Sequence, residues 1–259
     1  MVSDASYIHF NSFFISTTAA PQHTKRMKTL FRLSLVIFLL VTSAGVCAQP
    51  STTAPDKAYG LDPLLHNGKF YTYFLPPWTG GTQFFNGPGF VKGSVTLRGV
   101  TYDNLRLKYD VFNQQLVLQY ETSSGSDNLI VLSDAWLETF NLGGVHFEIL
   151  AIQDSLKRIY QVMGTAPNRL LYYWYKELAI DGGIGIENYV FSAPKRESYM
   201  LIGTKLFKYK NNKSFLALFD TEKQAALKKY FRQQHINVKK ASDQVITELV
   251  NYCNTLSTK

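Results

Sequence analysis

The sequence predicts a mainly β (α+β) protein: an antiparallel sandwich, roll or curved sheet with a C-terminal two-helix hairpin. Three observations carry this expectation. From Lys69 to about Lys210 the chain is filled with short period-two runs rich in β-branched and aromatic residues. Turn signals interrupt the runs at Ser123–Asp127, Gly143-Gly144, Ala166-Pro167-Asn168, Asp181–Gly183 and Asn211-Asn212. Near Ser214 the apolar spacing changes from that of a strand to that of a helix.

Before the first strand the chain reads as three segments. Residues 1–26 have no periodicity and read as an upstream extension, with translation starting at Met27. Met27 to Ala48 reads as a cleavable signal peptide, with Lys28 and Arg32 ahead of an apolar core, Leu33 to Val41, and small residues at its end. The core is too short for the ~20 apolar residues of a membrane span. Val46 sits where a lipobox needs Gly, Ala or Ser, so lipidation of Cys47 is not expected. Residues 49–67 read as a flexible leader, 68–213 as the β domain and 214–259 as a helical hairpin packed on it.

Within the β domain the clearest strands are Ser94–Arg98, Leu105–Phe112 and Gln115–Tyr120. In the second, Leu105, Leu107, Tyr109 and Val111 point one way and Arg106, Lys108 and Asp110 the other, the pattern of a sheet with one wet face. Further strands are expected at 128–132, 136–141, 145–151, 158–163, 170–176, 186–192, 199–202 and 205–209. Leu170–Tyr175 is bulky on both faces, which predicts cover on both sides. In the hairpin, Leu216, Phe219, Leu227, Tyr230 and Phe231 mark a first helix, with Asp220 as the cap of its main part. Val245, Ile246, Leu249, Val250, Cys253 and Leu256 mark the second.

The run Gly93–Phe112 (GSVTLRGVTYDNLRLKYDVF), then Ser214–Phe219, a Lys-rich helix and Glu248–Leu256, resembles a family of exported β-rich proteins of Bacteroidetes. The resemblance implies an envelope location. No activity is assigned to that family, so no functional residue carries over.

Charge is unevenly placed. Residues 49–194 hold 10 Lys/Arg against 13 Asp/Glu, net −3, whereas residues 195–259 hold 13 against 5, net +8. After cleavage only Cys253 remains, so stability must come from packing rather than an internal disulfide.

Chemistry-bearing motifs are sparse. There is no G-x-S-x-G, H-E-x-x-H or C-x-x-C, and the histidines after residue 48, His66, His146 and His235, are far apart. His146 and Glu148 share a strand face but supply two ligands, short of a metal site. The carboxylate pairs Asp134/Glu138 and Glu177/Asp181 are unspecific. The glycine-rich Asp181–Glu187 leads into a strand, so it reads as a hairpin turn rather than a phosphate loop. Cys253 belongs to an apolar stripe and is expected to be packed and inert. The Trp78 loop reads first as a lid folded under the sheet.

No cofactor and no metal are expected. The function expected is that of an exported, non-enzymatic envelope accessory or binding protein, periplasmic or envelope-associated. Lys228, Lys229, Arg232, Lys239 and Lys240 would contact an anionic envelope surface or an envelope protein. Export disfavours nucleic acid as a partner. Two other readings stand beside it: a carbohydrate-binding module stacking sugars on Trp78, Tyr172 and Trp174, and a hydrolase with a site assembled from residues distant in sequence.

Overall fold

The computed structural model describes residues 62–72, 75–122, 124–152, 156–180 and 188–257. The readings of residues 1–61 and of the Asp181–Glu187 turn fall outside them.

Period-two alternation becomes a long antiparallel meander. Its strands are β1 (Gly68–Phe70), β2 (Val91–Leu97), β3 (Val100–Asp110), β4 (Gln115–Glu121), β5 (Asp127–Leu132), β6 (Leu137–Leu142), β7 (Val145–Leu150), β8 (Arg158–Met163) and β9 (Asn168–Tyr175). β10 (Leu178–Ile180) and β11 (Tyr189–Phe191) form a small two-stranded sheet, and β12 (Lys195–Ile202) and β13 (Lys205–Tyr209) complete the main one. The main sheet has eleven strands in the order β1-β5-β4-β3-β2-β6-β7-β8-β9-β12-β13. Two meanders are thus joined where β2 pairs with β6. The β2–β3 turn places Arg98 and Gly99 at φ 48° and 78°, and the β6–β7 turn places Gly143 and Gly144 at 58° and 86°. Two left-handed residues in succession are what a tight hairpin loop requires.

The sheet is strongly curled. β3 and β9 lie five strand spacings apart, roughly 24 Å in a flat sheet at about 4.8 Å per step. Yet Gln114 Nε2, in the turn after β3, donates to the Trp174 carbonyl of β9 at 2.8 Å. Rings fill the space that the curl encloses: Phe85 meets Phe147 and Trp174 at centroid distances of 5.4 and 5.1 Å, and Tyr109 meets Phe147 at 5.3 Å. Leu105, Leu107, Tyr109 and Val111 are all buried on this inner face, as their alternation predicts. Asp110 departs from the pattern and is fully buried. Its carboxylate accepts from the Phe112 and Asn113 amides and from Tyr71 Oη, so it caps the β3–β4 turn instead of facing water.

The other end of the inner face is covered by helices. α1 (Asn212–Leu216) and α2 (Thr221–Gln233) replace the single expected helix, and α3 (Asp243–Ser257) follows. Asp220 caps α2 by accepting from the Lys223 amide at 2.9 Å, as expected. α3 lies against β8 and β9. Ile246, Leu249, Val250 and Cys253 pack over Met163, Leu170, Tyr172 and Met200. Gly164, at φ 79° in the turn after β8, lets the chain approach α3: a Cβ there would sit 2.3 Å from Val250 Cγ1. The hairpin covers only one side of β9. Its other side packs Leu171 and Tyr173 with Tyr160, Tyr199 and Leu201.

Three local expectations are corrected. Residues 62–67, read as the end of a flexible leader, form a turn whose Leu65 is buried, with Asp62 accepting from Tyr102 Oη at 2.9 Å. β1 and β10, each three residues long, show too little periodicity to be read from sequence. The loop before β2 is a lid only in part: Phe84 is buried and Phe85 joins the core, but Trp78 is 88% exposed.

Candidate functional site

Lysine and arginine gather where β12, β13 and the α2–α3 connector meet. Strand alternation puts Arg196 and Ser198 of β12 and Tyr209 of β13 on the inner face, with Arg196 opposite Trp174 and Ser198 opposite both Tyr172 and Tyr209. The Arg196 guanidinium lies 3.9 Å over the Tyr172 ring, and Nη2 donates to the Lys239 carbonyl at 3.2 Å. Those contacts hold the planar fork in place. The connector is held from a second side by Asn212, which accepts from the Val238 amide at 2.9 Å and donates to the Ile236 carbonyl at 2.7 Å.

A groove of about 430 Å³ results, with Arg196, Ser198, Lys208, Tyr209, Lys210 and Lys239 in its walls. Lys208 is neutralised by Glu197. Burial alone would raise the Glu197 carboxyl, but hydrogen bonds from Lys208 and Tyr199 outweigh it and hold the group below its ordinary value. Arg196, Lys210 and Lys239 have no carboxylate partner among the described residues. The Tyr172 and Tyr209 hydroxyls are buried and near each other, yet neither has a hydrogen-bond partner of good geometry among the described residues. Burial pushes the ionisation of both upward. The groove thus brings together three cations without carboxylate partners among the described residues, while the Tyr209 hydroxyl itself is shielded from solvent. Those three cations suit an anionic oxygen ligand.

All five cations expected to contact an anionic surface are exposed. Lys228, Lys229 and Arg232 occupy the side of α2 away from buried Leu227 and Phe231, Lys239 lies in the groove wall, and Lys240 follows it on the connector. None has a carboxylate partner among the described residues. The sequence misses Arg196, Lys210 and Tyr209. Alternation places Arg196 and Ser198 together, but nothing local shows that β12 pairs with β9 or that the connector returns to it.

The sugar-stacking set does not assemble. Tyr172 is fully buried, and Trp174 is half-buried with Phe85 and Arg196 against its ring. Only Trp78 of the three offers a free face. His146 and Glu148 do share a strand face, but Arg169 binds both Glu148 oxygens at 2.9 and 2.7 Å, and His146 Nδ1 lies 2.9 Å from Asn141 Oδ1. Among the described residues no three His, Cys, Asp or Glu side chains gather as a metal site. His66 packs edge-on against Tyr120, with Nδ1 3.0 Å from the Asp62 carbonyl. Glu177 pairs with Lys195 at 2.5 Å, and Glu138 accepts from the Gly99 amide at 3.3 Å, so these carboxylates serve local contacts.

Among the described residues no helix is long and apolar enough to cross a membrane. Comparison with family models, curated proteins and solved structures gives no match to this chain.

Proposed function

We propose that this protein is an exported, non-enzymatic envelope accessory that docks on anionic surfaces through its basic C-terminal region. One observation carries the reading: the solvent face of α2 and the adjoining groove hold cations without carboxylate partners among the described residues, while residues 49–194 are net negative. Such a field orients the molecule toward an anionic surface over a Debye length of about 8 Å at physiological salt. Each basic residue near an anionic bilayer contributes about 1 kcal/mol. The signal-like segment Met27–Ala48 supports export and an envelope setting.

Co-sedimentation with anionic and zwitterionic vesicles tests the proposal. The protein should pellet with anionic vesicles at low salt and be released near 1 M salt, where the screening length is about 3 Å. Replacing Lys228, Lys229 and Arg232 by Glu should abolish the association. Equal recovery of the two proteins, or binding indifferent to salt, overturns it.

A further inference from the structure

A second site lies on the opposite face of the sheet, at the far end from the helices. The loop before β2 folds over the outer face of β3, β4 and β5 and leaves a cavity of about 290 Å³. Its walls are mostly apolar, with Phe84, Pro88 and Phe90 from the loop, Val117 from β4 and Leu129 from β5, and Tyr71 and Thr82 also line it. Among the described residues one charged side chain enters it. Lys108 of β3 places Nζ 4.5 Å from the centre of the Phe84 ring and 4.2 Å from that of Phe90.

The ammonium has no carboxylate and no hydrogen-bond acceptor among the described residues. The nearest acid on the same strand face, Asp110, is committed to Tyr71, the Phe112 amide and Asn113. Tyr71, which also lines the cavity, donates to Asp110 and accepts from Gln83, so its hydroxyl is committed too. Partial burial lowers the ionisation of Lys108, in keeping with a cation short of polar partners. Contact with two phenyl faces returns about 0.5–1 kcal/mol at an exposed site, less than a hydrogen-bonded counter-ion gives in a dry one.

We infer that this cavity binds a small amphipathic carboxylate, its head group on Lys108 and its apolar body against Phe84, Phe90, Val117 and Leu129. The chemistry selects that class on three counts. Three ammonium donors stand open, and a carboxylate accepts from them directly. One positive charge matches one negative charge, whereas a phosphate monoester brings about −1.5 to −2 and would leave excess negative charge beside the phenyl rings. The walls reward an alkyl chain or single ring, and the volume, just under the ~300–1,000 Å³ of ordinary ligand pockets, keeps that body short. The site is independent of the basic groove.

Calorimetric titration with octanoate, acetate and octylamine tests the inference. Octanoate should bind saturably and at least about tenfold more tightly than acetate, which lacks the tail, or octylamine, which reverses the head. Lys108→Met keeps most of the stem, removes the charge, and should weaken octanoate by a similar factor. Leu129→Trp fills the cavity and should abolish binding. The variant with Glu at positions 228, 229 and 232 should bind octanoate as the parent does. Absence of saturable octanoate binding, equal affinity for the three probes, unchanged binding by Lys108→Met, or loss in the α2 variant each overturns the assignment. Thermal melts report folding; if Lys108→Met does not fold, the probe comparison on the parent and Leu129→Trp decide.

Discussion

The two halves of the inner sheet face are kept dry in different ways. From β2 to β7 the sheet curls until its own rings meet, and Tyr109, Phe140 and Phe147 pack with Phe85 from the preceding loop. From β8 to β13 the face is lined by Met163, Leu170, Tyr172 and Met200, and α2 and α3 cover it. A face that closes on itself needs side chains large enough to span the curl, and aromatic rings supply that area. A face covered by helices needs a matching aliphatic stripe, which α3 supplies through Ile246, Leu249, Val250 and Cys253. The halves meet at Gln161 of β8, which accepts from Trp174 Nε1 at 2.7 Å and donates to Asp243 at the start of α3, also at 2.7 Å. The basic groove belongs to the helix-covered half and the Lys108 cavity to the curled half. Each candidate site therefore depends mainly on its own core.

The strongest way to break this comparison is to truncate one residue in each core. Phe147→Ala, a ring that stacks on Phe140 at 4.7 Å, should cost roughly 3–5 kcal/mol in chemical denaturation. Leu249→Ala, fully buried on α3, should cost roughly 2–5 kcal/mol. Cys253 separates the two effects. Its thiol is fully buried and burial pushes its ionisation up to about 12, so native labelling should be slow and limited by release of α3. Leu249→Ala should speed labelling much more than Phe147→Ala at matched denaturant. Equal acceleration would mean that the halves open as one unit.

A smaller effect sharpens the boundary. Gln161→Leu keeps the volume of a buried side chain but leaves the Trp174 indole N–H without its acceptor and Asp243 without its donor. The expected cost is about 1–3 kcal/mol, the penalty for stranding a buried polar group. Because the residue joins both cores, its effect should be non-additive with Phe147→Ala and with Leu249→Ala in double-mutant cycles. Simple additivity in both cycles would show that Gln161 fills space without coupling the halves.

Legibility differed between these regions for a physical reason. The alternation of Leu105, Leu107, Tyr109 and Val111, the glycine pair at 143–144, the Asp220 cap and the α3 stripe are local, and each appears where the sequence predicts it. Asp110 breaks the alternation because a non-local partner, Tyr71, and the turn amides both claim its carboxylate. Tyr172 and Trp174 look like an exposed aromatic platform only while the curl and Arg196 are unknown, since Gln114 reaches β9 from sixty residues away. The cations of α2 were legible as a charge run, yet their groove partners were not, because Arg196 and Lys239 are brought together by tertiary pairing. Sequence periodicity reports which face a residue occupies. It does not report what comes to lie on that face.

The smallest expected effect distinguishes a binding surface from a structural one. Lys228, Lys229 and Arg232 touch no carboxylate among the described residues and lie opposite the buried side of α2. Changing all three to Glu exchanges like-charge repulsion of one sign between residues 228 and 232 for the other, a nearly neutral change. Glu in the C-terminal half of α2 is disfavoured by the helix dipole by a few tenths of a kcal/mol. Surface substitutions of this kind stay within about 0.5 kcal/mol each, so the triple variant should lose no more than roughly 1.5 kcal/mol. Denaturant midpoints of parent and variant, measured at low and high salt, check the figure. A loss of several kcal/mol would tie these cations to the folding of the hairpin and remove the basis for assigning them to an anionic surface. A near-neutral result together with lost vesicle binding would separate the two roles cleanly, because the variant would then be folded and unable to dock.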